Sequence, residues 1–185
     1  MIKGYEQRYG IDFKETFAPA VYFRTVKVLL ALAATVDLEI HQMDVKTAFL
    51  NGELEEEIYM EIPKWYYDWK ASGSPEMGTV LQLQKSLHGL KQAPRVWNKS
   101  LESFLRSLGF KRSETDHSLY LRHDANIAVY VDDMSLFAER IETIQQLKQQ
   151  LKSKYEMTDL GEMKRFLGIE FTRDRKARTM RLNQE

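Results

Sequence analysis

Two adjacent carboxylates, Asp132 and Asp133, stand in an otherwise apolar run, Ile127-Ala128-Val129-Tyr130-Val131-Asp132-Asp133-Met134-Ser135-Leu136-Phe137. Carboxylates are rarely buried unless they are paired or bind metal. A third aspartate has similar surroundings far upstream, Asp44 within Ile40-His41-Gln42-Met43-Asp44-Val45. Three aspartates on strand ends suit hard cations such as Mg²⁺, which take carboxylates plus substrate phosphates as ligands. Two such ions ~3.5–4 Å apart can activate an attacking hydroxyl and stabilise a leaving oxygen. Phosphoryl transfer asks little covalent work of the protein, so the parts to seek are acids for metals and bases for a triphosphate. The residues alone leave two other readings open. Asp is ordinary at hairpin turns, and a simple ion site would use the same side chains.

The elements that must position these groups can be read from periodicity. β-branched and aromatic residues flank Asp132-Asp133, which predicts two strands joined by a tight turn at the two aspartates. Leu38, Ile40, Gln42 and Asp44 share one strand face, and Met43 and Val45 the other. Before that strand, Tyr22, Val26, Leu29, Leu30 and Ala33 keep helical spacing, with Arg24 and Lys27 opposite. Lys46 to Leu50 reads as a turn, Asn51-Gly52 as a tight turn, and Ile58, Met60 and Ile62 as a strand closed by Pro63. Residues 63 to 79 read as a long irregular loop rich in aromatics, Trp65-Tyr66-Tyr67 and Trp69, which either stack on bases or pack the loop down. Val80 to Leu83 is a short strand. Ser86 to Trp97 is a loop with Gly89, and Pro94 starts a helix whose apolar face is Trp97, Leu101, Phe104, Leu105 and Leu108, ended by Gly109. Lys91 and Arg95 lie at that helix start, where backbone N–H groups favour anions. Leu119–Leu121 and Ile127–Val131 pair around His123 to Asn126. Ile141, Ile144, Leu147, Leu151 and Tyr155 form a further helical stripe. Phe166 to Phe171 reads as one strand, with Thr179 to Leu182 pairing back.

Composition bounds the class. The 185 residues suffice for one sizeable core, and no run approaches the ~18–20 apolar residues of a membrane helix. Met1-Ile2-Lys3 is followed by polar sequence, so no secretory leader is expected. There is no cysteine, which excludes disulfides and thiolate metal sites and fits an intracellular location. Lys+Arg and Asp+Glu balance at 27 each, so composition alone gives no hint of nucleic acid. The charge is uneven, however. Glu53, Glu55, Glu56, Glu57 and Glu61 cluster after Asp44, while Lys164, Arg165, Arg173, Arg175, Lys176, Arg178 and Arg181 crowd the far end. The basic set is either a solvated face or a phosphate-binding strip.

Tyr130-Val131-Asp132-Asp133 resembles the Y-x-D-D box of reverse transcriptases. Gln42 to Gly52 (QMDVKTAFLNG) resembles the first catalytic-aspartate motif of copia-type LTR retrotransposons. Leu87 to Trp97 (LHGLKQAPRVW) is similar to that group's nucleotide-pocket motif. Tyr155 to Gly161 (YEMTDLG) and Phe166 to Glu170 (FLGIE) match later segments in order. The likeness runs from about Phe17 to Leu182. His88 and Asn98 stand where the group usually carries Tyr, Lys27 where Arg is expected, and Trp65 to Gly78 lacks the usual Pro-Pro-Gly-Phe.

The resemblance implies an α+β fold of palm and fingers across residues 1–185, an antiparallel or mixed sheet backed by helices, with the thumb absent or truncated. It implies an RNA-directed DNA polymerase with a two-metal site for Mg²⁺, or Mn²⁺ as substitute, built from Asp44, Asp132, Asp133 and the Val45 carbonyl. Phe49 and Ala48 would border the dNTP sugar, with the Phe49 ring excluding a 2′-hydroxyl. Lys27, Arg24, His88, Gly89 and Lys91 would complete nucleotide binding. Tyr130, Met134, Pro94, Arg95, Phe166, Leu167 and Gly168 would meet the template-primer. Implied partners are an RNA or DNA template-primer, dNTP and other Pol segments such as integrase and RNase H, with no membrane. The implied location is cytoplasmic, in a virus-like particle, with the nucleus as alternative. The competing expectations are a decayed or domesticated copy that binds without polymerising, and an unrelated two-metal phosphohydrolase.

Overall fold

A computed structural model describes residues 2–63 and 79–184, so the aromatic loop Trp65 to Trp69 lies outside the described residues. The chain comprises two compact units, Met1–Phe17 with Phe49–Ser100, and Ala18–Ala48 with Leu101–Glu185.

The first unit pairs β2 (Glu53–Glu61) with β3 (Val80–Lys85) antiparallel. Glu53, Glu55, Glu57 and Glu61 alternate outward along β2, so most of the acidic cluster is simply its solvated face. Ile58 packs with Leu90 and Ala93 at the start of α2 (Ala93–Ser107), and Phe49, Leu54 and Leu83 lean on that cluster. Asn51-Gly52 closes a tight 3₁₀ turn (Ala48–Asn51), the Gly52 N–H donating to the Phe49 carbonyl, and leads into β2.

The second unit is a six-stranded sheet in the order β4-β5-β6-β7-β1-β8. Its strands are β1 (Glu39–Val45), β4 (Lys111–Arg112), β5 (Leu119–Arg122), β6 (Ala125–Tyr130), β7 (Asp133–Ala138) and β8 (Met157–Glu162), all paired antiparallel. β7 is buried at every residue after Asp133, as an interior strand covered on both faces should be. β8 was not read as a strand from sequence. Its alternation is broken by a register shift opposite Gln42 and Met43 and by Gly161 at φ 75°.

One face of this sheet carries α1 (Phe23–Val36), whose buried Val26, Leu29, Leu30 and Ala33 meet Ile40, Ala128 and Phe137. Tyr22, expected in that stripe, is exposed and precedes the helix as its N-cap without a side-chain cap bond. The missing cap comes from far away. Buried Asp116 accepts from the Tyr22 N–H at 3.0 Å and the Thr25 hydroxyl at 2.5 Å. At the other end Arg173 donates to the Ala33 and Leu38 carbonyls and pairs with Asp37. Arg175 pairs with Asp37 and Glu39. Part of the basic C-terminal cluster is therefore a helix-terminal clamp, favourable toward the negative end of the helix dipole.

Arg173 and Arg175 sit on a second, three-stranded sheet, β9 (Arg165–Phe166), β10 (Ile169–Asp174) and β11 (Thr179–Asn183). The single strand expected over Phe166 to Phe171 is instead a tight hairpin. Leu167 and Gly168, at φ 52° and 79°, form its two-residue loop, as a type I′ turn requires. The return of Thr179 to Leu182 against β10 is as read from the sequence.

The opposite face of the main sheet packs α3 (Ile141–Lys154). Ile141 proves exposed, and the buried stripe is Thr143, Ile144, Leu147, Lys148 and Leu151. Lys148 is the departure from the apolar pattern. Its amine lies 2.8 Å from His41 Nδ1 on β1 and 2.5 Å from Asp159 Oδ1 on β8, tying one helix to two strands. Burial opposes the Asp159 charge. Donation from Lys148 and the Gly161 N–H, with the charges of Lys148 and Lys152, outweighs it and holds this carboxyl below its ordinary pKa. His41 is held below its ordinary value, first by burial and then by the Lys148 charge, against the pull of Glu39, Asp159 and Glu162. A depressed folded pKa means stability that is present above the unfolded value, about 6.5 for His, and lost as pH falls through the folded one. We expect the wild-type melting midpoint to fall between pH 7 and 5, and His41→Gln to fall less over the same interval. Equal slopes would show that His41 is not desolvated as described.

Candidate active site

The three aspartates gather in the second unit through strand register. β1 and β7 run antiparallel with Asp44 directly opposite Asp133, and β6 and β7 place Tyr130 opposite Asp133. Asp44, Asp133 and Tyr130 thus share one sheet face, while Met43, Met134 and Val129 point to the other. The two-residue hairpin loop is Val131-Asp132, one residue earlier than the Asp132-Asp133 turn read from sequence. Asp133 is the first residue of β7. Asp132 is exposed and Asp133 half-buried. Val131 adopts φ 57°, a conformation β-branched residues seldom take. The turn is tied to β1 by the Val45 N–H donating to the Asp132 carbonyl at 3.0 Å. Strained turns of this kind persist where the surroundings over-determine them.

The electrostatics follow from the register. Burial raises the pKa of Asp44 first, and the charges of Asp132 and Asp133 raise it further. Burial also raises Asp133, with Asp132 adding to it, while Gln42 donating through Nε2 to Oδ1 at 3.0 Å pulls the other way. The site is a patch of mutually repelling carboxylates on which one neutral donor acts.

The residues expected around it divide. Tyr130 is exposed beside the pair. Met134 is wholly buried on the other face, among the core residues. Phe166 is likewise core, within the cluster under α1. Leu167 packs beside it, and Gly168 serves the hairpin turn. The Val45 side chain and Ala48 are buried. Arg24 and Lys27 hold their cationic ends over the rings of Tyr22 and Phe23, 4.7 and 4.6 Å from the centroids.

In the first unit the pocket motif is fastened to the N-terminal segment. Lys91 donates from its backbone N–H to Gln7 Oε1 and from its amine to the Gln7 carbonyl, and the amine also sits over the Phe13 ring. Gln92, buried, accepts from Gln7 and donates to the Asp12 carbonyl. Arg95, near Pro94 in the first turn of α2, pairs with Glu15. Lys91 and Arg95 are thus engaged within the fold rather than extended as free cations. Phe49 stacks on His88, centroids 5.5 Å apart and planes 29° from parallel. Gly89 has φ 108°, and a Cβ there would come 2.4 Å from the Ile2 carbonyl oxygen. Its glycine is required by close approach of the chain, whatever else passes nearby.

Gln42, Asp116, Lys148 and Gln7 were not among the residues singled out. Only Gln42 left a signal, since it shares the alternation of Asp44.

With the geometry in hand, comparison with known proteins is direct. The family model described as reverse transcriptase (RNA-dependent DNA polymerase) matches residues 1–185. The chain belongs to the reverse transcriptase family. It is 41% identical over 190 residues to the retrovirus-related Pol polyprotein from transposon TNT 1-94 of Nicotiana tabacum, a match covering 100% of this chain. It is 35% identical over 175 residues, 92% of the chain, to the retrovirus-related Pol polyprotein from transposon RE1 of Arabidopsis thaliana. The transposon Ty1-BL Gag-Pol polyprotein of Saccharomyces cerevisiae is 27% identical over 77% of the chain. The matches span only 14%, 12% and 8% of these polyproteins. Membership agrees with the copia-type motif order and with the α+β, antiparallel architecture of the chain.

The Gly89 contact gives a test. Gly89→Ala should lower stability by about 2 kcal/mol or more, from left-handed strain of ~1–2 kcal/mol plus displacement of Ile2. Limited proteolysis should then cut the N-terminal segment faster. An unchanged melt and cleavage rate would remove the clamp.

Proposed function

We propose that this chain is the polymerase core of a copia-type reverse transcriptase, extending a primer 3′-hydroxyl with dNTPs on an RNA or DNA template. The observation that carries the reading is the direct opposition of Asp44 and Asp133 on one sheet face, with Asp132 in the adjoining turn. Among the described residues no group of three His, Cys, Asp or Glu is close enough to hold a metal as it stands. The donor set nevertheless fits a hard dication. Every ligand is oxygen, and repulsion among the three charges is what an ion would relieve. Mg²⁺ ions, or Mn²⁺, held by Asp44, Asp132, Asp133 and the Val45 carbonyl would lower the pKa of the primer hydroxyl and neutralise the phosphates.

The protein's own residues do the positioning. Tyr130, exposed beside Asp133, offers a ring and hydroxyl to the primer strand. The Phe49 ring, fixed by His88, is a rigid wall against which a deoxyribose fits and a 2′-hydroxyl clashes. Arg24 and Lys27, on α1 of the second unit, supply cations for the triphosphate. We assign the second unit to the palm and the first to the fingers. In the intact Pol polyprotein this core would work with RNase H and integrase segments in a cytoplasmic particle. A descendant that binds nucleic acid or protein without polymerising is the second reading, favoured by the spacing of the three carboxylates, which is too wide to hold an ion as it stands.

Primer extension on poly(rA)/oligo(dT) with Mg²⁺ separates the two. We expect incorporation of dTTP by the wild type and a loss of at least about 100-fold in Asp132→Asn, in the range of one removed electrostatic contact. Equal, background incorporation by two folded proteins would leave the non-catalytic reading.

A further inference from the structure

We propose that Gln42 is a positioning residue for this polymerase, its side-chain amide pinning one oxygen of Asp133 so that the other is the ligand-accepting one. The inference rests on the reading of Asp44, Asp132 and Asp133 as the metal-binding set, and goes beyond it to a residue of no charge.

Gln42 lies two residues before Asp44 on the same face of β1, opposite Ser135 of β7. Asp133 is therefore not its cross-strand partner but the diagonal neighbour, a separation of ~7–8 Å between backbones. A side chain as long as glutamine spans that diagonal, and the Nε2–Oδ1 distance is 3.0 Å. On β1's other side the register with β8 shifts at Gln42, which faces Gly161 while Met43 faces Asp159. Leu160 is thereby left out of the ladder. Beside Gln42 a cavity of about 430 Å³ opens, lined by Leu160, Glu162, Lys164 and Arg165. A bulge that re-aims side chains is a recurrent neighbour of active sites. Here it sets Gly161, which carries no side chain, opposite Gln42.

The physical role is one of selection among rotamers. Asp133 is half-buried and repelled by Asp132 and Asp44, so without a donor its carboxylate would turn away from its neighbours. A neutral amide holds it through Nε2 without adding charge to the site. Partners that orient ligands in this way typically change metal affinity or activity ~10–100-fold when removed.

The test uses the whole chain and Mn²⁺ alone, read by electron paramagnetic resonance without template or dNTP. Gln42→Met keeps length and volume and removes the donor. We expect Mn²⁺ affinity to fall about tenfold or more, with the melting midpoint and template-primer affinity unchanged. On an Asp133→Asn background, Gln42→Met should add less than twofold, because both changes act through one carboxylate. If Gln42→Met does not fold, Gln42→Leu replaces it. Mn²⁺ affinity equal to wild type, or full additivity with Asp133→Asn, overturns the role of Gln42 while leaving the aspartate site standing. Mn²⁺ binding by the wild type that Asp44→Asn and Asp132→Asn do not weaken overturns the aspartate site itself, and this inference with it.

Discussion

Everything at the carboxylate end of the main sheet depends on the register between β1 and β7, which sets Asp44 directly across from Asp133. Like charges in that position destabilise a strand pair, by an amount on the order of 0.2–1 kcal/mol. The pair cannot slip apart. A shift of one residue would carry Met43 and Met134, both wholly buried, to the carboxylate face and the carboxylates into the core. Apolar burial along the strands thus enforces a polar repulsion at their ends. The hairpin loop adds a second constraint, since Val131 accepts φ 57° to bring Asp132 beside the other two.

The rest of the second unit reads as support for that register. α1 covers the near half of the face, where Ile40, Ala128 and Phe137 are apolar, and leaves uncovered the half that ends in carboxylates. Its position is fixed by side chains remote in sequence, Asp116 at one end and Arg173 at the other. On the reverse face Lys148 joins α3 to β1 and β8 through His41 and Asp159. Buried ionic contacts of this sort contribute little net stability but specify an arrangement. The polar groups of the fold therefore act mainly as locators, and hydrophobic burial supplies the stabilisation.

Much of this was legible in the sequence because it rests on periodicity. The alternation around Asp44, the helical stripe from Val26 to Ala33 and the amphipathic α2 with Gly109 at its end are local patterns, and the structure keeps them. The three aspartates stood out because charge in apolar surroundings is costly. What failed was non-local or turned on one backbone angle. Leu167-Gly168 looked continuous with its strand because leucine seldom takes positive φ. Met134 and Phe166 lie in the core, and alternation from Asp133 already pointed Met134 inward. β8 was hidden by its bulge. Lys91 and Arg95 looked like phosphate ligands, yet their partners Gln7, Phe13 and Glu15 lie some 80 residues upstream and no local rule announces them.

If opposed carboxylates are kept for the sake of a cation, the metal-free protein should be less stable than the same fold with one charge removed. Such a cost at a functional site is expected where activity and stability compete. The most direct measurement is the melting midpoint of wild type and Asp44→Asn at pH 7, each with and without millimolar Mg²⁺. We expect Asp44→Asn to melt higher than wild type without metal, and Mg²⁺ to raise wild type but not the variant, as linkage to a folded-state site requires. A wild type indifferent to Mg²⁺ and more stable than Asp44→Asn would contradict it.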